Sequence, residues 1–149
     1  MIVLNCGTYD LLHPGHLYVF RQLRKLAGEG QSGIVVVGLN SDEFVLEFKG
    51  HPPVQTYAHR YEMLSALRDI DYVVENIGGR DAKPMIRTVR PDIIAAGHDW
   101  YSPDDEKYCK QMNFTRSWLD LQRIKLVYLD WMPGYSSTNL RATVRSMDR

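Results

Sequence analysis

The sequence has 149 residues, 44% of them hydrophobic and 24% charged, with 18 Lys and Arg balancing 18 Asp and Glu. That length suits one domain, residues 1–149, with a single sizeable core. A chain with no net charge has no global field to gather nucleic acid or an acidic membrane, so neither is expected as a partner, and an anionic ligand must be met by a local cluster of donors.

In chain order, Ile2-Val3-Leu4-Asn5-Cys6 reads as a short strand ended by Gly7. From Pro14 to about Leu26, Leu17, Phe20, Leu23 and Leu26 recur at helical spacing, and Gly28 and Gly30 stop the pattern. Gly33 to Leu39 is a continuous β-branched run, the mark of a strand buried on both faces. A helix is predicted from about Tyr57 to Arg68, a third strand over Asp71–Glu75, and a helix over residues 81 to 90 that Pro91 ends. Asp92–Ala96 and Ile124–Leu129 give two more strands, and Ser137 to about Met147 a last helix. Strands that alternate with helices predict an α/β fold, a doubly wound five-stranded parallel sheet, whose ligands sit beyond the carboxyl ends of its strands.

Cys6 and Cys109 make no disulfide framework and no Cys-x-x-Cys. No basic start with an apolar stretch opens the chain, and no apolar run approaches about 20 residues, so a cytoplasmic location is the default expectation.

Four segments could carry chemistry. Gly7-Thr8-Tyr9-Asp10-Leu11-Leu12-His13-Pro14-Gly15-His16 runs from the first strand into the first helix. Gly7 permits a sharp turn and close approach, and Pro14 fits a helix start, where free amides and the dipole attract phosphate. His13 and His16 flank Gly15, which has no side chain to block a phosphate between two imidazoles. Two such donors suit charge that builds on phosphorus, although a helix cap with two solvated histidines has the same spacing. A zinc site needs a third ligand nearby, so no metal ligands are assigned.

The second segment is Phe48-Lys49-Gly50-His51-Pro52-Pro53-Val54, read as an exposed loop from which Lys49 could swing onto a polyphosphate. Arg60 and Arg68, eight residues apart, would share a helix face and could clamp a second phosphate or pair with Glu62 or Asp69. The third is Gly97-His98-Asp99-Trp100, straight after the fourth strand. The fourth is Gly134 to Arg141, where Ser136, Ser137 and Thr138 could cap a helix and also donate to phosphate.

In this order the segments resemble the cytidylyltransferase family typified by glycerol-3-phosphate cytidylyltransferase, whose relatives include heptose-phosphate adenylyltransferases. The His-x-Gly-His turn is the most specific part, extended by Asn40-Ser41-Asp42-Glu43-Phe44, Ala58-His59-Arg60-Tyr61 and Leu67-Arg68-Asp69-Ile70-Asp71-Tyr72-Val73-Val74. The resemblance implies strand order 3-2-1-4-5, a homodimer, and a triphosphate that arrives with Mg²⁺. It implies His13, His16 and Lys49 as catalytic groups. Gly7, Thr8, Tyr9, Asp10, Gly15, Gly97, Asp99, Ser136, Ser137 and Thr138 would bind the nucleotide. Arg60 and Arg68 would hold phosphate, with Asp71 a structural partner. The implied reaction moves CMP from CTP to a small phosphorylated alcohol and releases pyrophosphate. Adenylyl transfer from ATP to a sugar phosphate or similar acceptor is the alternative, and a nucleotide sensor without turnover a third reading. Three features depart from the pattern: Trp131 stands where the glycerol-3-phosphate enzymes carry an arginine, His98 stands in Gly97-His98-Asp99-Trp100 where the family often has Gly-Asp-Asp-Trp, and residues 101 to 123 are longer than in the short bacterial enzymes.

Overall fold

The computed structural model describes residues 1–28, 32–130 and 137–147, with Ser137 described by its backbone alone. Five strands form one parallel sheet: β1 (Ile2–Gly7), β2 (Ile34–Leu39), β3 (Tyr72–Glu75), β4 (Ile93–Ala96) and β5 (Lys125–Tyr128), in the order β3-β2-β1-β4-β5. The helices are α1 (Pro14–Ala27), α2 (Asp42–Lys49), α3 (Tyr57–Ser65), α4 (Lys83–Val89), α5 (Glu106–Met112), α6 (Arg116–Leu121) and α7 (Ser137–Met147), with a 3-10 turn at His98–Trp100.

Period-two alternation explains why β2 and β4, inside the sheet, are apolar throughout. Val3, Val35 and Ile93 face one layer with Phe20, Leu23 and Leu64. Their neighbours Leu4, Val36 and Ile94 face the other, with Met85, Ile86, Tyr108 and Leu119. Both faces of the central strands are covered, as parallel sheets require, and the buried polar side chain of Asn5 on β1 is hydrogen-bonded to Ala95 O and the Tyr9 hydroxyl. β1 pairs with β2 on one side and β4 on the other, through Val3↔Val35 and Val3↔Ile93. The chain winds outward in both directions from that pair, which puts the switch point at the carboxyl ends of β1 and β4.

Two elements depart from the sequence expectation. Residues 101 to 123 fold into α5 and α6, and Tyr108, Cys109, Met112, Phe114 and Leu119 complete one core layer. α3 ends at Ser65 rather than near Arg68. Both cysteines are free, and burial pushes the Cys6 thiol up to about 12. Among the described residues no helix is long and apolar enough to cross a membrane. Arg90 and Arg123 follow α4 and α6 in left-handed backbone, φ 54 and 58, a conformation that costs an L-residue roughly 1–2 kcal/mol.

Candidate active site

The turn from β1 to α1 lies at the switch point. Its left-handed residues are Tyr9 and Leu11, φ 52 and 54. The sharp turn expected of Gly7 is made instead by these two residues, while a Cβ at Gly7 would sit 3.1 Å from the Tyr9 ring, so glycine favours the close packing there. Tyr9 is turned into the core, with its hydroxyl donating to Asn5 and its ring against Phe20 and His16 at 5.4 and 5.9 Å between centroids. Its side chain backs His16.

The two histidines close the start of α1 on themselves. His13 is the N-cap, and its Nδ1 accepts the Gly15 amide at 3.1 Å. His16 Nδ1 accepts the His13 amide at 3.2 Å in return. This is a capping box made from imidazoles, where Ser or Thr and Glu are the usual pair. The rings lie 3.8 Å apart between centroids. Because both Nδ1 atoms accept amide protons, each neutral ring carries its own proton on Nε2. Burial lowers the basicity of His13. Burial, then the neighbouring His13 and Lys49, take His16 down to about 4, against an opposing pull from Asp10. Near neutral pH the site therefore presents two uncharged N–H donors. The capping role and the donor role hold together, since they use opposite nitrogens.

Asp10 is 2% exposed and joins three parts of the chain. It accepts the Val54 and Gln55 amides at 2.7 and 2.9 Å and pairs with Arg141 on α7. Burial alone would raise this carboxyl, but the Gln55 and Val54 amides and Arg141 outweigh it and hold it below its usual range. These bonds give Asp10 a positioning role.

Lys49 ends α2 rather than riding in a loop, with Gly50 closing the helix in left-handed backbone at φ 78. It lies within the electrostatic reach of Asp10, His16 and Arg141. Partial desolvation, then Arg141 and Arg60, lower its pKa.

Arg60 is 0% exposed, a correction to its expected role as a phosphate clamp. Its Nε donates to Gln55 O at 3.0 Å and its Nη1 to Thr8 O and Asn40 O at 2.7 and 3.0 Å. Nη2 reaches Asp42 at 2.7 Å. It ties the β1 turn to the starts of α2 and α3, so Thr8 enters the site through its main chain. Arg68 lies before β3, at the amino edge of the sheet and away from the histidines. Asp71 there accepts from Arg24 and from the Val35 amide at 2.6 and 2.8 Å, a structural role as expected, though with a different arginine.

Gly97 follows β4 beside the β1 turn, because β1 and β4 pair. A Cβ at Gly97 would meet Asp99 Oδ1 at 2.8 Å, so the exposed Asp99 can fold back only over glycine. Thr138 is exposed on the first turn of α7. Ser136 and Trp131 lie outside the described residues, as does the side chain of Ser137. Arg141, to which the sequence assigns no role, lies on α7 three residues after Thr138 and pairs with Asp10.

Neutral imidazole donors beside helix-start amides suit a phosphorus centre that gains negative charge. On a parallel sheet in this order, they set the chain among the α/β nucleotidyltransferases. A family model described as cytidylyltransferase-like matches residues 4–143, and the chain belongs to that family.

Its relatives include the bifunctional protein HldE of Paramagnetospirillum magneticum, 36% identical over 144 residues, 95% of this chain and 26% of that protein. The FAD synthase of Pyrococcus horikoshii is 30% identical over 125 residues, 83% of this chain and 78% of that protein. The chain thus spans about a quarter of the HldE relative. Among solved structures, the lipopolysaccharide core biosynthesis protein of Thermoplasma volcanium GSS1 has the same fold, with a TM-score of 0.67 at 24% identity over 89% of this chain and 98% of that one.

Proposed function

We propose that this chain transfers the AMP unit of ATP to a small phosphorylated acceptor and releases pyrophosphate. The observation that carries the reaction is the histidine pair, with both Nδ1 atoms accepting main-chain amides, which leaves the proton of each neutral ring on Nε2. An acceptor phosphate oxygen attacks the α-phosphorus, the new P–O bond forms, and the bond to the pyrophosphate oxygen breaks. The acceptor is already a competent nucleophile, so no general base is needed and catalysis rests on positioning and charge. Nε2–H of His13 and His16 would stabilise the phosphoryl oxygens. Lys49 and Arg141 would meet the charge of the leaving pyrophosphate. The triphosphate brings Mg²⁺ on its own oxygens, and among the described residues no group of three His, Cys, Asp or Glu converges to hold one.

The choice of ATP rests on the relatives named FAD synthase, since FAD contains an adenylyl unit. CTP with a glycerol 3-phosphate-like alcohol is the second reading, favoured by the Lys49-Gly50 resemblance. Its other support, the Arg-x-x-Asp passage, is weakened because Arg68 lies at the far edge of the sheet.

A matrix of the four nucleoside triphosphates against phosphorylated alcohols, sugars and flavins, read as pyrophosphate release, tests both. ATP should give the highest rate. Faster release with CTP would transfer the assignment to the second reading, and no release with any pair would leave a nucleotide sensor.

A further inference from the structure

The amino edge of the sheet, opposite the histidines, holds a cationic cluster that the proposed reaction does not use. A groove of about 670 Å³ opens there, with Ile86, Pro91 and Ile124 as apolar floor and Arg87, Arg90 and Arg123 on its walls. Asp92 also lines it, but its carboxylate accepts the Ile2 amide at 2.7 Å. Among the described residues none of the three guanidiniums pairs with a carboxylate. Arg87 instead lies over the Trp118 ring, 6.0 Å from its centre.

Arginine at the carboxyl end of a helix complements the dipole, and that is the plain account of Arg90 and Arg123. It does not explain why both hold left-handed backbone, where glycine is far less strained and an exposed dipole interaction returns less than the strain costs. Nor does it explain why two helix ends deliver their cations to one groove. Arg123 follows α6, in the segment between 101 and 123 whose helices complete one core layer.

We infer that this groove binds a polyphosphate anion, free or as the tail of a nucleotide, at a second site. Guanidinium forks match phosphate oxygens, and the volume falls in the range of small-molecule sites. The four residues of β4 separate it from Gly97, a rise on the order of 13 Å. One short polyphosphate therefore cannot occupy both edges.

The test is a titration of the whole chain with inorganic tripolyphosphate, then ATP, followed by amide chemical shifts in NMR. Two saturable sets of shifts are expected, one over residues 7 to 16 and one around Arg90, Gln122 and Arg123. Arg90→Gly with Arg123→Gly removes both guanidiniums and relieves both left-handed residues, so the fold is favoured while binding should weaken about tenfold or more at this edge alone. Arg90→Lys with Arg123→Lys keeps the charge and should retain part of the affinity. Equal affinity for both probes marks a bare polyphosphate, and tighter ATP with shifts at the Ile86 and Ile124 methyls marks a nucleotide; either upholds the site. Absence of the second set, failure to saturate, or persistence in the double glycine variant overturns it.

Discussion

His16 Nδ1 accepts the main-chain amide of His13, so the ring whose Nε2–H is the proposed phosphate donor also holds the first turn of α1. Protonating His16 at Nδ1 removes that acceptor. The folded group titrates at about 4 against an ordinary 6.5, so between those values the unfolded chain binds more protons. This contribution to stability is therefore full above about pH 6.5 and is lost as pH falls through about 4. Asn places Oδ1 where Nδ1 accepts but does not titrate. Denaturant unfolding across that range should show a smaller pH slope for His16→Asn than for the parent, and equal slopes would refute the coupling.

The two nitrogens can also be separated in catalysis. His16→Asn keeps an acceptor for the cap and deletes the Nε2 donor, so stability near neutral pH should stay within about 0.5 kcal/mol while turnover falls about a hundredfold or more. His13→Ala should lose a similar factor in turnover and also about 0.5–2 kcal/mol of stability, because the cap goes with it. Normal pyrophosphate release from either variant would remove the pair from the reaction.

Arg60 and Arg68 make opposite predictions. Arg60→Ala strands Asp42 and three carbonyls, one of them in a buried hydrogen bond, so a loss of about 1–3 kcal/mol is expected. Arg60→Lys should recover little, because one ammonium cannot serve all four acceptors. Arg68 is exposed at the far edge, and Arg68→Ala should change stability by under about 0.5 kcal/mol and kcat/KM by under about twofold. Urea unfolding and steady-state kinetics of the three variants check this. A large kinetic defect in Arg68→Ala would return that residue to the site.

The contrast between these arginines marks how far the sequence can be read. Apolar runs such as Ile34–Leu39 declare burial on both faces locally, and so the strands, their parallel packing and the helix at Pro14 were legible. Spacing alone put Arg60 and Arg68 on one face, but the helix stops at Ser65 and never carries the pattern to Arg68. The partners of Arg60 come from turns up to 52 positions away, and Arg141 meets Asp10 across 131. No local pattern encodes such pairs. The histidine cap did leave a trace, the i,i+3 spacing of a capping box, hidden because imidazole seldom fills those positions. α5 and α6 are one or two turns long, too short for periodicity to register.

Lys49 gives the last prediction. It ends α2 under a left-handed Gly50 cap, with Asp10, His16 and Arg141 within electrostatic reach. The helix end fixes its backbone, so its reach comes from the four-carbon side chain. Its pKa is lowered, first by partial desolvation and then by Arg141, which means that an approaching anion should strengthen its charged form. If that charge counts mostly as pyrophosphate departs, Lys49→Ala should lower kcat with a smaller change in nucleotide affinity. Lys49→Arg should recover part, since a planar fork replaces a compact ammonium. Asp10→Asn should lower kcat as well, by freeing α7 and the segment at Val54 and Gln55, but with an added loss of stability that Lys49→Ala lacks. The rival view holds Lys49 to be a solvated helix-end cation. Kinetics of Lys49→Ala decide between them: kcat and KM both within about twofold of the parent, a difference worth roughly 0.4 kcal/mol, would leave that view standing.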